Sequence, residues 1–433
     1  MQSIWRNIEL PRFEKLQRDI KTDVLIIGGG LCGLLCATFL KQNGVDCVVV
    51  EKERICSGVS GNTTAKITAQ HGLLYHKLYE RFGKEKAEEY LQLNLAAVRD
   101  FEEMATRMDC DFESRENAVY SLVDRHAIER EAEVLGKLGY APKVLLETDL
   151  PFVVSGAVVF PNQAQFHPLK FAAALTQGLT IYEDTFVREL VGTTAVTDVG
   201  KIKAEQIIVA THFPFLNKHG LYFMKMYQYR SYVLALKGAD SPQRMYVDAQ
   251  NGGLSFRTYK DLLLFGGAGG HTGKPAGAWG ALREAARRYF PEAKEVAHWA
   301  TQDCITLDEM PYVGPYSAST ERLWVATGFN KWGMTGSMVA AKLLCQKILG
   351  EEGSSNLLSP SRSILRKQLF LNGFFAASNL LSFSKKRCPH LGCALKWNAA
   401  EHSWDCPCHG SRFSKEGKVL DNPANGDLPD KRV

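Results

Sequence analysis

Asp23–Glu53 reads "DVLIIGGGLCGLLCATFLKQNGVDCVVVEKE", and the fold follows from how this stretch is parsed. Val24 to Ile27 is an unbroken apolar run, which suits a strand buried on both faces. Leu31 to Leu40 carries helical periodicity, and "CVVVE" closes a second strand at Glu51. Gly28, Gly30 and Gly33 satisfy G-x-G-x-x-G: the first allows a tight turn, the second lets a pyrophosphate approach the backbone, and the third lets helix and strand pack closely. The helix amino terminus then turns its unpaired N–H groups toward phosphate. Glu51 stands where a carboxylate accepts hydrogen bonds from ribose hydroxyls. A bare glycine pattern also describes an ordinary loop. The strand before it, the helix after it and the terminal acid make it a dinucleotide site, with NAD and FAD both open at this point.

Composition narrows the rest. A chain of 433 residues is long enough for two or three domains. With 45% apolar and 23% charged residues, it is neither disordered nor membrane-embedded in character. A net charge of +5, with no basic block interleaved with aromatics, argues against nucleic acid as a partner. The opening "MQSIWRNIELPRFEKLQRDIKTDVLIIGGG" contains acidic residues and no leader-like apolar core, so a cytoplasmic protein is expected. The late run "LFLNGFFAASNLLSF" is too short for a bilayer and is broken by polar residues, which predicts a core or docking helix and no membrane partner. Of eleven cysteines, seven are scattered singly through apolar stretches as small hydrophobes.

Further along, "AEQIIVATHFP" reads as another buried strand, ending in Ala210 and Thr211. "TLDEMPYVGPY" is followed by "RLWVATGFNKWGMTGSMVAAKLLCQKIL", which parses as strand, glycine turn and amphipathic helix. That turn can aim a second helix amino terminus at a ring that becomes negative on reduction.

In these segments the sequence resembles the FAD-dependent oxidoreductases of the D-amino-acid oxidase and sarcosine oxidase type, over about Asp23 to Gly350. The resemblance implies an α/β fold in which a discontinuous Rossmann-like FAD-binding domain (1–82, 166–212 and 300–352) is interrupted by an α+β substrate domain (83–165 and 213–299). It implies that Gly28, Gly30, Leu31, Cys32 and Gly33, with Glu51 and Lys52, bind the ADP half of FAD. "SGNTTAK", with Thr63, Thr64 and Ala65, would lie near the pyrophosphate and flavin. Val187 would offer its backbone to the adenine, beside the strand end at Ala210. Gly314 and the run Gly328 to Thr335, with Gly333 and Met334, would line the isoalloxazine.

Departures from the family pattern bear on chemistry. Where relatives oxidising small amino acids carry an arginine and a lysine that clamp the substrate carboxylate, this chain has Thr64 and Thr335. Thr301 stands where some relatives carry a flavin-linking cysteine, with Cys304 offset, so non-covalent FAD is expected. Lys331, in the glycine turn, is the candidate to sit beside the ring and stabilise reduced flavin or activate oxygen; a solvated turn lysine is the bland alternative. His271, flanked by "GGAGG" and "TGK", is a candidate base or substrate contact, against a histidine that merely closes a loop. His71 is open between capping structure and lying near flavin, and Tyr227, Tyr229 and Arg230 are candidates for the pocket wall.

The last cysteines form a pattern of their own, "CPHLGCALKWNAAEHSWDCPCHGSRF". Cys388-x-His390 and Cys406-x-x-His409 are two Cys-plus-His pairs separated by fifteen residues. Two cysteines and two histidines suit a structural zinc ion. The surrounding residues instead resemble a Rieske centre, where two histidines replace two cysteines on one iron of a [2Fe-2S] cluster. That resemblance places Cys388 and Cys406 on one iron and His390 and His409 on the other, with Cys393 and Cys408 at the positions many Rieske proteins join in a disulfide. His402 falls outside the pattern. The module (386–433, after a linker and docking helix at 353–385) is expected to be a small, truncated β tail, since no alternating strands precede Cys388 and the chain ends soon after "GKVLDNPANGDLPDKRV".

Two functions follow as expectations. The first is an enzyme of the kind grouped with gamma-glutamylputrescine oxidase-like proteins. FAD would take hydride from a small-molecule amine, and electrons would pass to the Rieske centre, an acceptor protein or oxygen. The second is a non-catalytic flavin-fold regulatory protein with a zinc-stabilised tail.

Overall fold

A computed structural model of the chain describes residues 2–216, 219–274, 277–351, 355–363 and 386–429. The docking helix expected before Cys388 lies outside the described residues. Strand Ile20–Ile27 is central in an eight-stranded sheet, flanked in parallel by Lys201–Val209 on one side and Cys47–Val50 on the other. Its unbroken apolar run has a direct cause. Val24 and Ile26 join one hydrophobic cluster with helices Leu31–Gln42 and Gly333–Leu349, while Leu25 and Ile27 join a second cluster on the opposite face. Both faces of the strand are therefore dry.

A nine-stranded sheet forms the second layer. It takes strands Glu113–Ser121, Gly156–Gln165, Met226–Lys237, Met245–Asp248, Ser255–Tyr259, Leu262–His271 and Lys294–Thr306, with the short Lys66–Ile67 at one edge and Lys143–Leu145 alongside Gly156–Gln165. Strand Lys294–Thr306 runs through the boundary expected at 299 and 300, so the second sheet continues into the segment that follows it. The helix Lys84–Ala105 buries Ala87, Tyr90, Leu91, Asn94, Ala97, Val98 and Phe101, the three-and-four spacing of an amphipathic helix.

The tail adds a four-stranded antiparallel sheet of Lys396–Asn398, Ser403–Asp405, Arg412–Phe413 and Val419–Asp421. This corrects the expectation of a module short of closing strands. One hairpin lies between the two ligand loops, a second follows them, and an Arg387–Ala394 bridge closes the first loop. Among the described residues no helix is long and apolar enough to cross a membrane.

Candidate active site and metal centre

The first strand ends against Gly28, whose φ of +113° and position place an added Cβ 2.6 Å from the carbonyl oxygen of Ala210. A Cβ at Gly33 would collide with the carbonyl oxygen of Gly28, so helix and turn close only on glycine. Glu51 Oε2 accepts from the N–H of Gly29 (2.8 Å) and Oε1 from that of Glu53 (3.1 Å). Burial raises its carboxyl above the ordinary value, partly offset by these two N–H donors.

This turn opens onto a cavity of about 1150 Å³. Gly28, Gly30, Leu31, Cys32, Glu51 and Lys52 line it, with Val187 and Ala210. Thr63, Thr64 and Lys66 line it too, as do Lys331, Gly333 and Met334. The cavity then reaches tail residues, among them Glu401, Arg412 and Asp421. Other predicted residues stand behind this surface. Gly33 and Ala65 are packed into the core, Gly314 faces Pro360, and Gly328 faces Thr306 and Met226. Thr335 donates from Oγ1 to the carbonyl of Thr68 (3.1 Å).

Lys331 has its ammonium 3.7 Å from the centre of the Tyr229 ring, and burial lowers its pKa, with the charge of Asp303 opposing. His71 lines the cavity, stacked on Trp332 at 5.0 Å. Its Nδ1 meets the Tyr90 hydroxyl (2.8 Å) and its Nε2 meets Thr335 Oγ1 (3.0 Å). Burial pushes its pKa down to about 3, so the ring is neutral. His271 is not among the cavity's lining residues. Its ring stacks on Tyr227 at 5.3 Å and its Nδ1 meets the carbonyl of Thr272. Strand pairing causes this, since His271 stands opposite Tyr229 in the register of Leu262–His271 with Met226–Lys237. Thr301 lines the cavity, whereas Cys304 is buried.

Sequence reasoning missed Asp303, and it placed Lys66 near the flavin only as part of a segment. Lys66 is buried beside Arg257, and its pKa falls to about 7 through burial and that neighbouring charge. Its only sequence signal was its place at the end of "SGNTTAK".

In the tail, the two ligand loops share one construction. The N–H of Cys388 donates to the carbonyl of Cys393 and that of Gly392 to Cys388; likewise Cys406 donates to Ser411 and Gly410 to Cys406, all at 2.8–2.9 Å. The loops bring the Cys388 and Cys406 thiols into hydrogen-bonding contact, both buried. The His390 and His409 rings lie 5.0 Å apart, near perpendicular, with Phe223 against their edges. The Nδ1 of His409 is buried with no hydrogen-bond partner, which fits a ligand nitrogen awaiting a metal. The sulfurs of Cys393, Cys406 and Cys408 lie within 4.8 Å of one another, and Cys393 and Cys408 are free thiols. Two thiols and two imidazoles on facing loops are the donor set of a Rieske cluster.

The module is docked onto the second sheet. Gln228 Nε2 donates to the carbonyls of His409 (3.0 Å) and Asn422 (2.7 Å), and Gln302 Nε2 to that of Gly410 (2.9 Å). Asn422 Nδ2 donates to the carbonyls of Thr211 and Phe213. Arg230 forms a two-pronged pair with Glu401, which also takes Arg412 (2.9 Å).

A nucleotide-binding turn, a cavity and a cysteine-histidine cradle together define a flavin-dependent oxidoreductase with an iron-sulfur module. The chain belongs to the FAD dependent oxidoreductase family, whose sequence model matches residues 23–347, and the Rieske [2Fe-2S] domain model matches residues 364–431. It is an enzyme whose cofactors are FAD and a [2Fe-2S] cluster. It is 32% identical to YhfW of Bacillus subtilis (strain 168), a protein named for a Rieske 2Fe-2S centre, over 98% of this chain and 96% of that one. The cytochrome b6-f complex iron-sulfur subunit 2 of Synechocystis is 57% identical over 37 residues, 8% of this chain and 21% of that one. The structure of glycine oxidase from Bacillus cereus superposes with a TM-score of 0.64 at 19% identity, covering 80% of this chain and all of that one.

Proposed function

We propose that the chain oxidises an amine: hydride leaves the C–H next to nitrogen, the resulting imine is hydrolysed by water, and electrons depart through the Rieske centre or to oxygen. The observation that carries this reading is the single cavity walled by the glycine turn, the Lys331 turn and the tail. The likeness to a glycine oxidase structure supports an amine C–H as hydride source. When bound, FAD supplies a two-electron hydride acceptor and the cluster a one-electron carrier.

The residues divide the work. The turn at Gly28 to Gly33 offers backbone N–H groups to the pyrophosphate, and Glu51, fixed by Gly29 and Glu53, faces the ribose. The helix Gly333–Leu349 begins on the cavity wall, and its positive end would stabilise negative charge on a flavin ring bound there. Lys331, with its pKa lowered by burial, is suited to take a proton from the substrate ammonium and free the nitrogen lone pair. His71, held neutral, positions Trp332 and Thr335. Strand Lys294–Thr306 carries Asp303 on the cavity wall, while Gln302 beside it holds Gly410 of the cluster loop. Cys388, His390, Cys406 and His409 are the cluster ligands in this reading.

The test is anaerobic addition of an amine panel to the purified full chain, following flavin absorbance and then the paramagnetic signal of the reduced cluster. Bleaching by an amine followed by that signal is expected. A flavin that no amine reduces would refute amine oxidation, and a flavin reduced without cluster reduction would refute the internal electron route.

A further inference from the structure

Ahead of the first strand, Trp5 is fully buried on the short helical turn Ile4–Asn7. Its ring meets Tyr259 and His167 edge-on at 4.8 and 5.0 Å, and the Arg257 guanidinium lies 5.0 Å from its centre. Three side chains of this arm donate to backbone carbonyls of one loop: Ser3 Oγ to Gly61, Trp5 Nε1 to Thr63 (2.7 Å) and Arg6 Nη2 to Ser57. From the second sheet, Trp299 Nε1 donates to the carbonyl of Asn62 (2.9 Å) and Arg257 to that of Thr64. An added Cβ at Gly61 would collide with the Cys56 carbonyl and lie 3.0 Å from Arg6 Nη2, so arm and loop close on a glycine.

A trans peptide is planar, and its C=O and N–H point in opposite directions. Each carbonyl drawn outward therefore turns the N–H of the following residue away from the group that holds it. The carbonyls of Ser57, Asn62 and Thr63 are held by Arg6, Trp299 and Trp5, and the N–H groups that follow them are those of Gly58, Thr63 and Thr64. Among the described residues these three N–H groups make no hydrogen bond. All three residues line the cavity. The same loop abuts the nucleotide-binding turn, where Ser60 Oγ accepts from the N–H of Leu31 (3.0 Å). Unpaired backbone N–H groups lining one concavity are suited to an anion. With the amino terminus of helix Leu31–Gln42 beside them, the anion they suit is a pyrophosphate.

We infer that Trp5 and Arg6 are positioning residues for the cofactor: by drawing the Thr63 and Ser57 carbonyls outward, they face the N–H groups of Thr64 and Gly58 to the FAD pyrophosphate. Neither side chain is among the cavity's lining residues, so both act through the loop. The assignment concerns FAD alone and does not depend on amine oxidation.

The experiment uses the full chain with FAD and cluster bound. Release of FAD after dilution is followed by the recovery of flavin fluorescence, and the phosphorus resonances of bound FAD report the surroundings of its pyrophosphate. Trp5→Phe keeps an aromatic ring and loses the N–H donor; Arg6→Met, at a half-buried position, keeps the length of the side chain and loses its donors. Each is expected to speed FAD release about tenfold, the weight of one hydrogen bond, and to move the phosphorus resonances toward those of free FAD while cluster absorbance per chain is kept. Arg6→Lys, which keeps a donor, should regain much of the retention lost in Arg6→Met. Release no faster than wild type in both variants would overturn the inference. Faster release with unmoved phosphorus resonances, or loss of the cluster together with FAD in both, would overturn it as well, because the arm would then support the fold and not the phosphate donors.

Discussion

Replacing Arg230 by Met removes one half of the ion pair that fastens the tail module to the second sheet. The Arg230 and Glu401 side chains are only 11% and 7% exposed, and two guanidinium nitrogens reach the two carboxylate oxygens. Removing one partner of such a buried pair costs about 3–5 kcal/mol, because the other charge stays desolvated. Glu401 keeps Arg412 at 2.9 Å and the Tyr232 hydroxyl at 3.2 Å, which places Arg230→Met at the lower end, about 3 kcal/mol. That is about a hundredfold in the docking equilibrium. Burial by itself would raise the Glu401 carboxyl, but the Arg230 hydrogen bond and the charges of Arg230 and Arg412 outweigh it, and its pKa ends below the ordinary value. Its contribution is thus complete above the ordinary carboxylate range and is lost as pH falls through the depressed value. The assay is urea unfolding followed by loss of cluster absorbance, with Arg283→Ala as control, since Arg283 and Glu295 pair at 37% and 26% exposure and should be worth under about 1 kcal/mol. The double change Arg230→Met with Glu401→Leu should cost less than the two single changes together. A midpoint for Arg230→Met no lower than that of the control would refute the argument.

Asp303→Asn should raise the thermal midpoint at pH 8 and leave it unchanged near pH 4. The gap between about 6 and the ordinary 3.8 is a folding cost of about 3 kcal/mol that is absent below the ordinary value, builds between the two and is complete above the raised one; an equal shift at both pH values in calorimetry would contradict this. Gly33→Ala should abolish flavin retention through its collision with the Gly28 carbonyl, whereas Gly136→Ala, where an added Cβ meets nothing, should keep full flavin absorbance per chain. Cys406→Ser and His409→Asn should lose iron and acid-labile sulfide while retaining flavin; retained iron in both would remove these residues from the ligand set. Lys331→Met should slow flavin reduction by about a hundredfold or more, the usual weight of a positioned proton acceptor. It should also shift the pH profile of reduction; an unchanged profile would assign Lys331 to structure alone.

The features legible in the sequence are those whose cause is local. The glycine turn declares itself within thirty residues because Gly33 packs against the carbonyl of Gly28 in the same turn, although Gly28 itself is also confined by the distant strand end at Ala210. The ligand loops repeat one short hydrogen-bond pattern, so the spacing of Cys388, His390, Cys406 and His409 could be read directly. Lys331 stood out by its glycine turn, and the structure puts it on the cavity wall. His271 was misleading for the complementary reason: glycines on both sides resemble a site loop, but the residue continues a strand whose register stacks it on Tyr227. Asp303 carried no local mark, since its place on the cavity wall depends on a thirteen-residue strand pairing with Met226–Lys237.

The tail shows the same division on a larger scale. Its ligand loops looked short of a scaffold because the strands between and after them are only two or three residues long, too short to show an alternating pattern. Part of that support comes from more than a hundred residues earlier, where Gln228 and Gln302 hold the carbonyls of His409 and Gly410. Each glutamine is an ordinary strand residue when read alone, and each is buried and fully used once the module is docked. The second sheet therefore serves both centres, with Asp303 on the cavity wall and Gln302 on the cluster loop adjacent on one strand. A change that shifts this strand is expected to disturb substrate selection and cluster environment together. By contrast, changes confined to the glycine turn should affect flavin alone.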